Sequence, residues 1–162
     1  MPIPAPFDEY RGRVLPAWID MNDHMNLAYY VVLFDLAGDV ASNYFGLGPL
    51  GNYKERTNCG TMAVASHNLY VQELLLDEDV RVVTQILAVD DKRMHMAHEM
   101  YRLSDNSLAA MQELMMLHVD LGRRKVCPWP ADIRALLDEA ARAHKVLPVP
   151  KWVGQRIEMP AR

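Results

Sequence analysis

The chain has 162 residues, of which 51% are apolar and 23% are charged, a balance that suits one globular domain with a substantial core. Its net charge of -4 comes without a basic stripe, which argues against nucleic acid as a partner. No apolar run reaches the roughly 20 residues of a membrane-spanning helix, and the N-terminus lacks the pattern of a signal peptide. We therefore expect a soluble, cytoplasmic protein with neither nucleic acid nor a membrane as its partner.

The N-terminal part predicts one strand and one long helix. Residues 1–9, with prolines at positions 2, 4 and 6, are expected to form an extended arm that leads to a strand at residues 11–14. Apolar residues then recur at the spacing of one helix face over residues 27–45. A segment with two glycines and a proline, residues 46–49, ends this helix, and residues 51–60 are expected to form a polar loop.

The rest of the chain predicts a sheet and a closing helix. Four stretches with alternating apolar and β-branched residues predict antiparallel strands, at residues 61–71, 79–89, 93–103 and 107–120. Polar turn-forming clusters separate them, so each adjacent pair is expected to form a hairpin. Residues 132–145 show helical spacing, and residues 147–162 form a proline-rich tail. From this tail, Trp152 and Ile157 are expected to pack onto the body.

This order of elements predicts an α+β fold. A curved antiparallel sheet of about five strands would wrap around one long central helix, with a second helix at the C-terminus. The sheet's edge strands would stay exposed, and pairing of edges between two copies of the chain would cover them. No internal repeat or domain boundary is visible, so residues 1–162 are interpreted as a single domain.

The strongest functional signal is the polar cluster before the long helix. Asp20, His24 and Asn26 lie where the strand leads into the helix start, which carries unpaired N–H groups and a positive dipole end. A carboxylate there can act with a polarised carbonyl oxygen, as acyl transfer requires. The alternative is a simple cap, with Asn22 or Asp23 capping the helix and His24 exposed. Capping needs one such residue, whereas five of these seven positions are polar.

The same segment carries a family resemblance. Asp20-Met-Asn-Asp-His-Met-Asn-Leu-Ala-Tyr-Tyr-Val-Val-Leu-Phe-Asp35 resembles the signature Asp-x-x-Gly-His-Val-Asn-x-x-x-Tyr-x-x-x-Phe-Glu of hotdog-fold acyl-CoA thioesterases of the 4-hydroxybenzoyl-CoA thioesterase type. The resemblance continues through His67-Asn-Leu-Tyr-Val-Gln-Glu73, Asp90-Asp-Lys-Arg-Met-His95, Leu117-His-Val-Asp120 and the Pro-Val-Pro of the tail. Within this group the chain is most similar to the betainyl-CoA thioesterases of carnitine breakdown.

The resemblance implies a hotdog fold and a homodimer or homotetramer with active sites at the dimer interface. It also implies hydrolysis of an acyl-CoA, with coenzyme A as part of the substrate and no metal or other cofactor. Asp20 matches the catalytic acid of the signature, as a nucleophile or as a general base that activates water. His24 and Asn26 would orient Asp20 or the thioester. Asp23 stands where the signature has glycine, which adds a negative charge beside the expected oxyanion site.

Further candidates for substrate binding lie along the predicted strands. His67 and Glu73 are six residues apart, which would place both on one face of a strand. They form either a surface ion pair or part of the acyl pocket, where Glu73 would orient water or hold a cationic acyl group. Arg93 is a candidate for a phosphate of coenzyme A, the alternative being an ordinary solvated side chain.

Four aromatic residues have two interpretations. Trp18, Tyr29, Tyr30 and Trp129 are expected to pack in the core, and the alternative is that they form part of a cage for a quaternary ammonium group through cation–π attraction.

No metal site is predicted. Cys59 and Cys127 lack the spacing of a zinc motif or a disulfide framework and are interpreted as structural thiols. His95 and His98 are three apart and fall on opposite faces of a strand. His98 shares its face with three methionines, so a hydrogen-bonded core histidine is expected.

The leading interpretation is therefore hydrolysis of a short or polar acyl-CoA, with betainyl-CoA as a named candidate. A hotdog acyl-CoA dehydratase is a rival enzyme, and the Asp20 motif argues against it. A non-catalytic acyl-CoA-binding module is the alternative from another class.

Overall fold

The computed structural model of the chain describes residues 3–159, so residues 1–2 of the expected arm and residues 160–162 of the tail lie outside it. The strands are β1 (Phe7–Arg13), β2 (Cys59–Tyr70), β3 (Asp79–Val89), β4 (Arg93–Arg102), β5 (Leu108–Asp120) and β6 (Lys125–Val126). The helices are α1 (Leu27–Ser42), α2 (Tyr53–Thr57) and α3 (Ala131–His144). The predicted α+β class and the order of its main elements are confirmed.

The strands form one antiparallel sheet in the order β1-β3-β4-β5-β2, and the short β6 also pairs with β5. The predicted β3–β4 and β4–β5 hairpins are present. The predicted hairpin between β2 and β3 is wrong, because β2 pairs with β5 and β3 pairs with β1. The segment between β2 and β3, residues 71–78 and called here the connecting segment, instead runs to the start of α1, where Leu74 accepts a hydrogen bond from Met25 N–H.

Several element boundaries differ from the expectation. β1 begins within the expected arm, because Phe7 is 2% exposed and pairs with Thr84 of β3. α1 ends at Ser42 and continues as a short 3₁₀ turn, closed by Gly46 at φ +69°. α2 lies in the expected polar loop, where Tyr53 is buried. β6 was not predicted.

The core lies between α1 and the concave face of the sheet. The buried residues of α1 form one stripe: Tyr30, Leu33, Phe34, Ala37 and Ala41. Opposite them, the alternating residues of β4 that face the helix are buried: Met94, Met96, His98 and Met100. His98 Nδ1 lies 2.8 Å from Thr84 Oγ1, which confirms the predicted hydrogen-bonded core histidine. His95 lies on the other face, where its Nε2 is 2.8 Å from Glu113 Oε1.

The C-terminal tail covers part of the convex face. Trp152 is 8% exposed, packs against Ala97 and donates from Nε1 to Glu99 Oε1 at 2.9 Å. Ile157 is 91% exposed, so the expectation that it packs onto the body is wrong. Within residues 3–159, no helix is long and apolar enough to cross a membrane.

The burial of His98 predicts that stability depends on pH. Complete burial lowers the pKa of His98 from 6.5 to about 4, so the unfolded chain takes up this proton first as the pH falls. The stabilising contribution is therefore complete above pH 6.5 and is lost as the pH falls through about 4. This loss should reach about 3 kcal/mol of unfolding free energy.

Urea titrations at pH 7, 5.5 and 4 measure this effect. His98→Asn keeps a hydrogen-bond acceptor for Thr84 and should flatten the dependence of the unfolding free energy on pH, although the variant is less stable at pH 7. An equal pH dependence in both proteins would show that another group is responsible.

Candidate active site

The polar cluster forms a tight turn before α1. We call residues 19–26 the Asp20 loop. Ile19 and Met25 form an isolated antiparallel bridge, and Asp20 N–H donates to the carbonyl oxygen of His24 at 3.0 Å. Asp23 N–H donates to the carbonyl oxygen of Asp20 at 3.1 Å. The backbone thus returns on itself and delivers Asn26 to the first turn of the helix.

The connecting segment holds the Asp20 loop against the sheet. Met25 N–H donates to the Leu74 carbonyl at 2.8 Å, and Leu74 N–H donates to the hydroxyl of Tyr30 at 3.0 Å. Tyr30 is 3% exposed and also donates to the Gln72 carbonyl at 3.3 Å. Burial raises the pKa of Tyr30, which keeps its phenol protonated for this contact. Loop, helix and connecting segment are therefore joined by hydrogen bonds.

Two donors fix the carboxylate of Asp20. Its Oδ1 accepts from Asn22 N–H at 2.8 Å, and its Oδ2 accepts from Asn26 Nδ2 at 3.3 Å. The side chain is 22% exposed, so the carboxylate is shielded but reachable. Asn26 is also the N-cap of α1, since its Oδ1 accepts from Ala28 N–H at 3.1 Å. The expectation that Asn22 or Asp23 caps the helix is wrong, and Asn26 both caps α1 and binds Asp20.

His24 lies between two carboxylates. Its Nε2 is 3.6 Å from Asp20 Oδ1, and its Nδ1 is 3.8 Å from Glu73 Oε2. Both distances exceed that of a hydrogen bond, so the two carboxylates are close neighbours of the imidazole rather than hydrogen-bonded partners. Asp20, His24 and Asn26 are thus brought together as predicted, and Glu73 joins them from the connecting segment.

Asp23 occupies the special backbone position of the turn. Its φ of 61° lies in the left-handed region, which glycine enters freely and aspartate tolerates better than most residues. This explains why the signature has glycine at this position. The substitution retains the turn and places an exposed carboxyl group at its tip.

A cavity of about 280 Å³ opens beside the Asp20 loop. It is lined by the helix start, the end of β2 and the connecting segment, through His24, Met25, Leu27, Tyr30, Tyr70, Val71, Gln72 and Glu73. Asp20 does not line the cavity itself, but its Oδ1 lies 3.6 Å from Nε2 of His24, which does. The rings of Tyr30 and Tyr70 meet edge to face, with centroids 5.2 Å apart and an interplanar angle of 80°. These two rings make an aromatic corner in the cavity, and Tyr70 was not anticipated from the sequence.

The four aromatic residues do not form the cage that was the alternative to core packing. Trp18 stacks on Tyr29 with centroids 5.2 Å apart, outside the cavity lining. Trp129 packs against His118 in a different part of the core. Of the four, Tyr30 alone lines the cavity.

His67 and Glu73 do not share a strand face, because β2 ends at Tyr70 and Glu73 lies beyond it. Glu73 lines the cavity beside His24, whereas His67 lines a separate cavity of about 320 Å³ with His95 and Glu113.

Arg93 pairs with Asp90 and lies opposite Leu117 of β5. Ala110 of the same strand lies opposite Tyr70 at the cavity, so Arg93 is about 23 Å away along the sheet. Its contact with coenzyme A stays a prediction.

The structure also gathers three residues that the sequence did not connect. Cys59, His118 and Cys127 have ligand atoms within 4.8 Å of one another. Sequence spacing gave no signal for this cluster, because it depends on which strands flank β5. Both cysteines are free thiols, and their interpretation as structural thiols stays a prediction.

Comparisons with known proteins agree with this architecture. Residues 14–137 match the model of the thioesterase-like superfamily. A betainyl-CoA thioesterase of Pseudomonas aeruginosa is 32% identical over 151 residues, which cover 93% of this chain and 94% of that protein. An L-carnitine dehydrogenase/betainyl-CoA thioesterase of Rhizobium meliloti is 30% identical over 145 residues, which cover 90% of this chain and 29% of that longer protein.

Solved structures give the same result. A putative thioesterase of Pseudomonas putida has a TM-score of 0.81 and 29% identity, and the match covers 98% of this chain and 99% of that one. A hypothetical protein of Staphylococcus aureus in complex with CoA has a TM-score of 0.87 at 23% identity over 98% of both chains, which shows a shared fold. The chain therefore belongs to the thioesterase-like superfamily and is a thioesterase with the hotdog fold.

Proposed function

We propose that this thioesterase hydrolyses a short, polar acyl-CoA to the free acid and coenzyme A, with betainyl-CoA as the leading substrate. The observation that carries this proposal is the carboxylate of Asp20, held by Asn22 and Asn26 at the start of α1 beside a small cavity. The relative from Pseudomonas aeruginosa supports the choice of substrate.

The helix start supplies the proposed oxyanion site. Leu27 is the first residue of α1 and lines the cavity, and its backbone N–H has no acceptor among residues 3–159. A thioester oxygen at this N–H would also lie at the positive end of the helix dipole. Negative charge that develops on the oxygen is therefore stabilised where the helix begins.

Asp20 then acts on the carbonyl carbon by one of two routes. Either its carboxylate attacks to form a mixed anhydride, which water hydrolyses, or it removes a proton from a water that attacks. In both routes the thiolate of coenzyme A leaves and is protonated. His24 and Asn26 orient the carboxylate in either case. Neither route calls for a metal or an organic cofactor.

The cavity favours a small cationic acyl group. Its volume of about 280 Å³ lies at the lower end of ligand pockets, so it suits a short chain. The corner formed by Tyr30 and Tyr70 offers aromatic surface to a quaternary ammonium group by cation–π attraction. The carboxylate of Glu73, on the same lining, adds an opposite charge. In this proposal the two tyrosines and Glu73 take the place of the cage that was considered as an alternative for Trp18 and Trp129.

We also propose that the enzyme acts as a homodimer or homotetramer. β2 is a 12-residue edge strand whose outer side has no partner among the described strands. Exposed apolar side chains lie on it, with Met62 at 37% and Val64 at 54%. Such an edge pairs readily with a second copy. Because β2 ends at the cavity, the second copy would help to enclose the site.

A cytoplasmic location completes the proposal. Cys59 and Cys127 are both free thiols, a state that a reducing compartment maintains.

Asp20→Asn should abolish most of the turnover. The amide keeps the size of the side chain but is neither a nucleophile nor a base, so kcat should fall about 100- to 10,000-fold. Thiol release from betainyl-CoA, short straight-chain acyl-CoAs and an aromatic acyl-CoA measures the effect. Asp91→Asn, in an exposed turn, is the matched control and should keep wild-type rates. Binding of acyl-CoA without turnover by the wild type would favour a binding module instead.

Glu73→Gln should weaken the preference for a cationic acyl group. Betainyl-CoA is compared with tert-butylacetyl-CoA, in which a carbon atom replaces the ammonium nitrogen. Glu73 is 64% exposed, so solvent screens its charge, which should contribute about 0.5 to 1 kcal/mol, and the ratio of kcat/KM values should fall about two- to fivefold. Rates with the neutral substrate should not change. An unchanged ratio would exclude Glu73 as the group that recognises the cation.

Val64→Lys should weaken the dimer by placing a charge on the exposed edge. Val126→Lys, on the exposed β6, is the matched control. Light scattering after gel filtration should show a larger fraction of monomer in Val64→Lys than in the wild type. The monomer fraction of Val126→Lys should equal that of the wild type. Wild-type assembly in the Val64→Lys variant would place the interface elsewhere.

A further inference from the structure

A cluster of two thiols and an imidazole lies at the end of the sheet opposite the Asp20 loop. Cys59 opens β2, His118 lies near the end of β5, and Cys127 directly follows β6. One ligand atom from each lies within 4.8 Å of the other two. We propose that these three side chains bind a zinc ion.

The register of the strands explains why three distant residues meet. Cys59 pairs with Asp120 of β5, and on the other side of β5 the N–H of Cys127 donates to the carbonyl oxygen of His118 at 3.0 Å. Paired residues of antiparallel strands share a face, and so do His118 and Asp120, which are two apart. Both thiols therefore extend across β5 on the face that carries His118.

This arrangement suits a metal better than a disulfide. Because β2 and β6 flank β5, ideal strand spacing would place the Cα atoms of Cys59 and Cys127 two spacings apart, about 9.5 Å. A disulfide needs Cα atoms within about 6.8 Å, so the bridge would require the backbone to move. Tetrahedral zinc holds two sulfur ligands about 3.8 Å apart and a sulfur and a nitrogen about 3.6 Å apart. The ligand atoms of the cluster all lie within 4.8 Å of one another, and the sulfur–nitrogen pair of Cys127 and His118 is 3.3 Å apart.

His118 is already oriented for coordination. It is 1% exposed, and its Nδ1 lies 3.3 Å from Cys127 Sγ and 3.1 Å from the Cys127 carbonyl oxygen, a contact that a metal on Nδ1 would replace. Its Nε2 lies 2.8 Å from the hydroxyl of Tyr53. With Nδ1 on the metal, Nε2 would carry the ring proton and donate a hydrogen bond to this hydroxyl oxygen. A metal on Nδ1 with a hydrogen bond at Nε2 is the usual arrangement of a ligating histidine.

The charge and the coordination number of the cluster also suit a zinc ion. On binding, each thiol loses one proton, and two thiolates neutralise the divalent ion, so no net charge is buried. Both cysteines are half-buried, which leaves the fourth tetrahedral position for water. Two sulfur ligands and one imidazole favour zinc over magnesium or calcium, which prefer oxygen.

The position of the site indicates a structural role. It joins the start of β2, the end of β5 and the segment after β6, whereas the candidate active site lies at the other end of β2. Zinc should therefore raise the melting temperature by mass action and leave turnover unchanged.

Cobalt titration of the metal-free protein tests the site. The chain has two cysteines, so thiolate-to-cobalt charge-transfer bands can come from these residues alone. We expect the bands to saturate at one Co²⁺ per chain and to disappear when zinc is added. Zinc should also raise the melting temperature. Thiol titration should show both cysteines protected by the metal.

Variants separate coordination from folding. Cys59→Ala and Cys127→Ala should each lose the thiolate bands of the two-sulfur site and the melting-temperature gain, and His118→Gln should weaken metal binding more than tenfold. Tyr53→Phe should weaken it about 10- to 100-fold without removing a ligand. His95→Ala, in the separate cluster with Glu113, is the control and should bind as the wild type does.

Two results would overturn the proposal. One is the absence of thiolate bands in wild-type protein that circular dichroism shows to be folded. The other is loss of both free thiols in air, with a mass decrease of two hydrogens, which would show a disulfide. The wild-type titration decides the matter even if a variant fails to fold, and thioester hydrolysis by the wild type is measured independently.

Discussion

The side-chain amide of Asn26 is the contact on which the candidate site depends. Its oxygen caps α1 through Ala28 N–H, and its nitrogen donates to the carboxylate of Asp20. One side chain therefore fixes both the helix end that would polarise the thioester and the carboxylate that would act on it. A helix cap typically contributes about 1 kcal/mol, so this contact serves stability as well as chemistry.

The connecting segment gives this arrangement its surroundings. Because β2 pairs with β5 rather than β3, the chain must cross from β2 at one edge of the sheet to β3 near the opposite edge. In crossing it docks on the Asp20 loop through Leu74 and brings Glu73 beside His24. The same crossing forms one wall of the cavity, with Gln72 in its lining. The topology of the sheet thus supplies residues that the signature does not contain.

The sequence correctly predicted features that depend on residues close together along the chain. Alternation along β4 predicted that His98 faces the core, and a short motif predicted that Asp20 and Asn26 would meet. The hairpins between β3, β4 and β5 were also predicted correctly, whereas predictions that needed the exact end of β2 or its partner strand were wrong. The parity argument for His67 and Glu73 failed because β2 stops between them, and Cys59 meets Cys127 only through the register of three strands.

The account's central claim is that the acyl carbonyl lies between the start of α1 and Asp20. A crystal structure with an inert ketone analogue, in which a methylene group separates the carbonyl from the sulfur of coenzyme A, tests it most directly. We predict the carbonyl oxygen within about 3 Å of Leu27 N–H, with its carbon facing the carboxylate of Asp20. An acyl group bound instead in the cavity beside His67 and Glu113 would contradict the account.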